Sequence, residues 1–139
     1  MASKMIFINL PVEDLERSKS FYEALGWKIN PDFTDENAAC VVVDDNICIM
    51  LLTHHHFEVF TSRPIADTRA ATGSIYALSL GSAAEVETLI EAAKAAGATE
   101  EISEDKRAQE EAVGMFSRAF LDPDGHHWEA FWMDYPGGN

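Results

Sequence analysis

The sequence predicts an α+β fold built from two βαβββ modules whose sheets form a cupped, barrel-like wall. Three observations carry this expectation. Strand-like and helix-like segments recur in the same order on either side of residues 53–73. Each candidate helix ends on a glycine, Gly26 and Gly97. Each half closes on a β-hairpin, the first about Asp44-Asp45-Asn46 and the second about Asp122-Pro123-Asp124-Gly125. A sheet covered by a helix on one face leaves its other face to be buried or used, and two such sheets together make a concave wall suited to a small ligand. The halves share no visible sequence similarity, so the repeat is one of element order, at a period of about seventy residues.

The first module covers about residues 5–52. Residues 5–10 read as a short strand, and Asp14 then offers an N-cap carboxylate to a helix running through Leu25. On that helix Leu15, Ser18, Tyr22 and Leu25 share a face, and Gly26 supplies the stop. Residues 27–29 start a second strand before the Asn30-Pro31-Asp32 break. Residues 38–43 and 47–52 then flank the first hairpin turn. A connecting arm, residues 53–73, leads to the second module at about residues 74–132. There residues 75–80 read as a strand and residues 83–96 as a helix, with Val86, Leu89, Ile90 and Ala93 at core spacing. An acidic loop over residues 100–111 precedes the closing hairpin strands, 115–121 and 126–132.

With 139 residues and 47% hydrophobic content, the chain is long enough to bury a core as one domain, and a single domain over 1–139 is expected. A formal net charge of −14, with ten Lys and Arg spread along the chain, disfavours nucleic-acid phosphates and anionic membranes as partners. There is no charged-then-apolar leader, and the longest apolar stretches, around residues 47–52, are far shorter than a membrane span, so a cytoplasmic location is expected. Cys40 and Cys48 form no CxxC pair and read as reduced core thiols. Simple registers of the first hairpin place Cys40 opposite Met50 or Leu51, and Cys48 opposite Val42 or Val43.

Two runs carry a family resemblance. The first is Phe7-Ile8-Asn9-Leu10-Pro11-Val12-Glu13-Asp14-Leu15-Glu16-Arg17-Ser18-Lys19-Ser20-Phe21-Tyr22, followed by Leu25-Gly26. The second is Phe120-Leu121-Asp122-Pro123-Asp124-Gly125-His126-His127-Trp128-Glu129. They resemble the opening and closing signatures of the vicinal oxygen chelate superfamily of glyoxalases, bleomycin-resistance proteins and dioxygenases. With the element order between them, they cover nearly the whole chain. The resemblance implies a cup in which metal-dependent members hold a divalent cation with side chains from the first and last strands of each module. In this chain those positions fall on Phe7, near Met50, near Ile75 or Tyr76, and on Glu129. A divalent cation needs imidazole, carboxylate or amide donors. Only Glu129 supplies one, so no cofactor is expected, a divalent metal at Glu129 being the alternative.

The best catalytic candidate is Glu129, which shares a strand face with His127 and Phe131, while Trp128 and Trp132 lie on the other. Glu129 is either a cup-facing acid or the partner of Arg118. A four-residue loop puts Arg118 opposite Glu129, whereas a type I turn with a Gly125 bulge puts Ala119 there. An Arg118–Glu129 pair could grip an anionic ligand through its spare guanidinium donors.

The ligand-binding candidates are Phe7, Asn9, Met50, His54, Tyr76, Arg118 and Glu129. Asn9 and Tyr76 open the two modules on strands expected to meet in the cup. The run His54-His55-His56 points in three directions, which suits loop solvation, or one ligand contact or proton transfer, better than a shared ion. Phe7, Met50, Phe116 and Phe120 read as core packing, with pocket lining as the alternative. The arm carries Phe57, Phe60 and Ile65 with Arg63 and Arg69, too apolar for a mere linker and long enough for a lid or dimer arm. Glu100, Glu101, Glu104, Asp105, Glu110 and Glu111 read as a solvated loop without calcium-loop spacing.

These readings point to a metal-independent, homodimeric small-molecule binding protein of the glyoxalase/bleomycin-resistance kind. One alternative is a metal-dependent lyase or isomerase of the glyoxalase kind, or a dioxygenase relative, using Glu129 and a histidine of residues 54–56 as acid and base. Another is an interaction module whose dimer face is the working surface.

Overall fold

The computed structural model describes residues 3–134, and the chain divides after Asp67 into two compact units. In the first, β1 (Ile6–Val12) leads to α1 (Leu15–Ala24), β2 (Lys28–Asn30), β3 (Ala38–Asp44), β4 (Ile47–Thr53) and α2 (His54–Phe57). The Asp14 carboxylate caps α1 by accepting from the Arg17 N–H at 3.1 Å, satisfying a donor that the first helical turn leaves orphaned. The strands lie in the order β1-β4-β3-β2, with β1 parallel to β4 and the other pairs antiparallel. Leu10, Val41, Ile49 and Leu51 form one fully buried row of this sheet. Helix α1, which packs on β3 and β4, adds Leu15, Ser18, Phe21 and Tyr22 to the core. By alternation, Phe7, Asn9, Cys48 and Met50 point to the opposite face.

Cys40 stands opposite Met50 and Cys48 opposite Val42, one of the registers expected from the hairpin. Both thiols are free and buried. Burial pushes the Cys40 thiol pKa up, and the neighbouring Cys48 adds to the rise.

The second unit contains β5 (Ile75–Ser79), α3 (Ala83–Ala95), β6 (Thr99–Glu101), α4 (Glu104–Ala112), β7 (Met115–Leu121) and β8 (His127–Met133). Its sheet repeats the pattern of the first, β5-β8-β7-β6, with β5 parallel to β8. Helix α3 buries Val86, Ile90 and Ala93, at i, i+4 and i+7, and packs on β7 and β8. Phe120, Trp128 and Ala130 of those strands are likewise buried. The α+β class and the repeated strand–helix order are therefore as the sequence predicts, realised as two four-stranded mixed sheets.

Two local expectations are corrected. Residues 100–111 are not a loop but the end of β6 followed by α4. Ser103 caps that helix, accepting from the Lys106 N–H at 3.3 Å, and an i,i+4 pair of Lys106 with Glu110 at 2.7 Å supports it. The three histidines do not sit in a loop either. The Thr53 hydroxyl accepts from the His56 N–H at 3.2 Å and starts a short helix on them, continued by a 3-10 turn at Glu58–Phe60. Among the described residues no helix is long and apolar enough to cross a membrane.

Candidate functional site

The chemistry-bearing face of the second sheet is set by strand register. Pairing of β8 with β5 and β7 places Ala77 and Ala119 on either side of Glu129, and Ile75 and Leu121 on either side of His127. Ser117 faces the same way, opposite Phe131.

The register depends on the turn before β8. The Asp122 carboxylate accepts from the Asp124 N–H at 2.9 Å and the His126 N–H at 2.8 Å, and the Asp122 carbonyl accepts from the Gly125 N–H at 2.9 Å. Gly125 takes φ +88°, and a Cβ there would stand 2.2 Å from the Thr68 carbonyl oxygen. Only glycine fits both the backbone and the space. Thr68 itself donates its hydroxyl to the Asp124 carbonyl at 2.7 Å, so the end of the connecting arm is fastened to this turn.

Of the two registers the sequence left open, the chain adopts the one with Ala119 opposite Glu129. Arg118 stands opposite Ala130 and faces α3 instead. Its Nε and Nη2 donate to the two Glu100 carboxylate oxygens at 2.8 Å each, and Nη2 also donates to Glu91 of α3 at 2.8 Å. These bonds push the Arg118 pKa up, with Glu100 the main cause, and the Arg118 guanidinium holds the Glu100 carboxyl below the usual range. Arg118 is thus committed to a structural triad and does not reach Glu129.

The partner of Glu129 comes from α4. The Lys106 ammonium pairs with Glu129 Oε1 and Glu110 Oε2, the latter at 2.7 Å, and donates to Ser117 Oγ at 2.5 Å. The Ser117 hydroxyl donates onward to Glu110 Oε1 at 2.6 Å. Burial alone would depress the Lys106 pKa, but the bonds to Glu110 and Glu129 outweigh it and the net shift is upward. The Glu129 side chain is only 10% exposed, so its charge is balanced inside the fold rather than by solvent. Beside this network lies a cleft of about 240 Å³, lined by Ile75, Ser103, Lys106, Ser117, Ala119 and His127 among others. The Nδ1 of His127 is buried and has no hydrogen-bond partner.

The remaining candidates divide by face and by unit. Asn9 stands opposite Met50 and Phe7 opposite Cys48 on one face of the first sheet, and the Asn9 side-chain amide donates to the Phe7 carbonyl at 3.2 Å. Phe7 is 51% exposed, so core packing does not describe it. His54 opens α2 and is exposed. Tyr76 lies opposite Trp128, ring centroids 5.0 Å apart, on the face away from Glu129. A one-residue step along β5 separates the faces, so Ile75 and Ala77, not Tyr76, flank the Glu129 row. Burial pushes the Tyr76 hydroxyl pKa up.

These residues do not fit a catalytic divalent metal. Phe7, Met50 and Ile75 carry no donor of the required kind, Tyr76 faces away, and Glu129 is engaged by an ammonium. Among the described residues no group of three or more His, Cys, Asp or Glu side chains is gathered for an ion.

Residues 4–44 match the family described as bleomycin resistance protein-like N-terminal. Over its length the chain is similar to the hypothetical protein SA1046 from S. aureus, at 26% identity, covering 95% of this chain and 94% of that one with a TM-score of 0.72. It is also similar to a glyoxalase/bleomycin resistance protein/dioxygenase family enzyme from Burkholderia phytofirmans PsJN, at 15% identity, 95% and 100% coverage and a TM-score of 0.73. The chain therefore has the fold of the glyoxalase/bleomycin resistance/dioxygenase family enzyme. A glyoxalase-related enzyme from Fulvimarina pelagi gives 23% identity, 94% and 88% coverage and a TM-score of 0.70. No curated protein matches the chain.

The vicinal oxygen chelate signatures read from the sequence coincide with β1 and the cap of α1 at one end, and with the β7–β8 turn at the other. Sequence reasoning singled out Glu129 but missed Lys106 and Ser117, and saw in Glu110 only solvated charge. The available signal was Ser103 as a cap followed by Lys106 and Glu110 four residues apart.

Proposed function

We propose that this protein is a metal-independent, glyoxalase/bleomycin-resistance-like protein that binds a small molecule. The observation that carries the reading is the ion pair of Lys106 with Glu129. The single carboxylate at a metal-type position is held by a side-chain ammonium, beside a cleft of about 240 Å³ that is lined in part by His127, whose buried Nδ1 lacks a partner. The resistance- and glyoxalase-type neighbours in fold favour a small organic molecule as the ligand.

We read the two units as modules of one domain and the working form as a homodimer. Strands β1 and β5 each end a sheet, and they expose Ile6, Phe7 and Ile75 by half or more, a pattern that a second copy would cover. The two buried free thiols suit a reducing, cytoplasmic compartment.

Native mass spectrometry of the purified protein, paired with metal analysis, tests this reading. The expected result is a dimer mass carrying a co-purified organic ligand and a substoichiometric metal content. A stoichiometric, tightly held transition metal overturns it. So does turnover of thiol adducts of 2-oxoaldehydes on addition of Ni, Zn or Mn, if Glu129→Gln abolishes it.

A further inference from the structure

The Lys106 ammonium has three hydrogens and meets three oxygens: Glu129 Oε1, Glu110 Oε2 at 2.7 Å and Ser117 Oγ at 2.5 Å. Two charged acceptors and one neutral one around a single –NH3+ make a complete receptor for a primary ammonium group. Nothing in that tripod requires the alkyl stem to belong to this chain. Lys106 is also the replaceable member, since its side chain is 38% exposed whereas those of Glu129 and Glu110 are 10% and 13% exposed. If Lys106 swings to solvent, the Ser117–Glu110 bond at 2.6 Å still joins α4 to β7.

Of the three cationic side chains that line the cleft, Lys106 and Arg118 are committed to carboxylates, and Arg107 shares the lining with Glu100, Glu101 and Glu110. All three Lys106 hydrogens are engaged, so none is free to receive an anionic ligand. The Arg118 fork is directed at Glu100 and Glu91. With Lys106 withdrawn, Glu129 and Glu110 would present two negative charges to the cleft. Independently, the buried His127 Nδ1, two residues before Glu129 on the same face, has no partner, and His127 lines this cleft.

We propose that Glu129, Glu110 and Ser117 form a binding site for a ligand bearing a primary ammonium group, and that Lys106 fills this site until such a ligand displaces it. The proposal rests on the small-molecule reading above and names its ligand class.

The test is an NMR titration of wild type, Lys106→Met and Lys106→Met/Glu129→Gln with n-butylammonium, using butan-1-ol and butyrate as neutral and anionic matches. Butylammonium is expected to shift the Ser117 and Glu129 amides saturably and to bind Lys106→Met at least tenfold more tightly than wild type. Adding Glu129→Gln should weaken it at least tenfold. In wild type, which needs no folded variant, saturation should move the Lys106 ε-methylene resonance to its solvent-exposed position. Equal affinity of wild type and Lys106→Met overturns the proposal, as does affinity that survives Glu129→Gln. Saturable binding of butanol or butyrate in place of butylammonium removes the ammonium class and leaves the small-molecule reading standing. Absence of binding by all three probes to every form overturns the proposal, and the native mass measurement then decides the small-molecule reading alone.

Discussion

Replacing Arg118 by Met keeps an unbranched apolar stem and removes a guanidinium that is 18% exposed, leaving a Glu100 carboxylate that is 14% exposed. Three charge-assisted hydrogen bonds of 2.8 Å are lost. Removing one partner of a fully buried pair costs about 3–5 kcal/mol. Here Lys94 remains 3.3 Å from Glu100, although it is 42% exposed, and Glu91 is largely solvated. These partners and the residual exposure reduce the expected loss to about 2 kcal/mol, or about 6 °C in Tm for a chain of this length.

The loss should depend on pH. Arg118 holds the folded-state pKa of Glu100 below its unfolded value, so the stabilisation is fully present above the unfolded pKa and is lost as pH falls through the folded one. Arg118 itself stays charged throughout, its own pKa being raised. The gap between wild type and Arg118→Met is therefore widest near neutrality and closes in acid below about pH 4. Urea denaturation followed by circular dichroism at pH 7 and pH 3, in a double-mutant cycle with Glu100→Gln, measures both quantities. A coupling of about 1.5 kcal/mol at pH 7 is expected for such a desolvated pair. A coupling under about 0.5 kcal/mol, or a gap that does not change with pH, would refute the reasoning.

Two further substitutions separate backbone conformation from space and test the core. Gly125→Ala meets both a φ of +88° and the Thr68 carbonyl 2.2 Å from the new Cβ, whereas Gly26→Ala meets a φ of +95° with nothing within 4 Å. Urea melts should show a loss of about 1 kcal/mol for Gly26→Ala and about 3 kcal/mol for Gly125→Ala, where backbone must move as well. Trp128→Ala, at a residue 1% exposed between Tyr76 and Phe120, should cost about 3–5 kcal/mol in the same assay.

Most of the fold was legible because its signals are local. Asp14 as a cap, Leu15, Ser18 and Tyr22 on one helical face, and the hairpin turns at residues 44–46 and 122–125 depend on residues close in sequence, and the structure realises each of them. Helix α4 escaped notice because it buries no residue. Without an apolar stripe, a charged helix and a charged loop read alike, and only the cap and the Lys106–Glu110 spacing distinguish them. Ile75 and Tyr76 could not be told apart in the sequence because a strand's side chains reverse with each residue, so a shift of one position moves a residue across the sheet.

By itself the sequence determined the α+β class, the repeated strand–helix order, the opening and closing signatures and the scarcity of metal donors at Phe7, Met50 and Ile75. These follow from residue type, period and spacing, which are readable along one dimension. The tertiary structure alone decided the partnerships. Two registers were compatible with the Asp122–Gly125 turn, and the Thr68 backbone against Gly125 belongs to only the folded chain. That register turns Arg118 toward Glu100 and Glu91 and leaves Glu129 to Lys106, a residue 23 positions earlier brought over the sheet by α4. Ion pairs between distant segments depend on where side chains project after packing, and no local pattern carries that information.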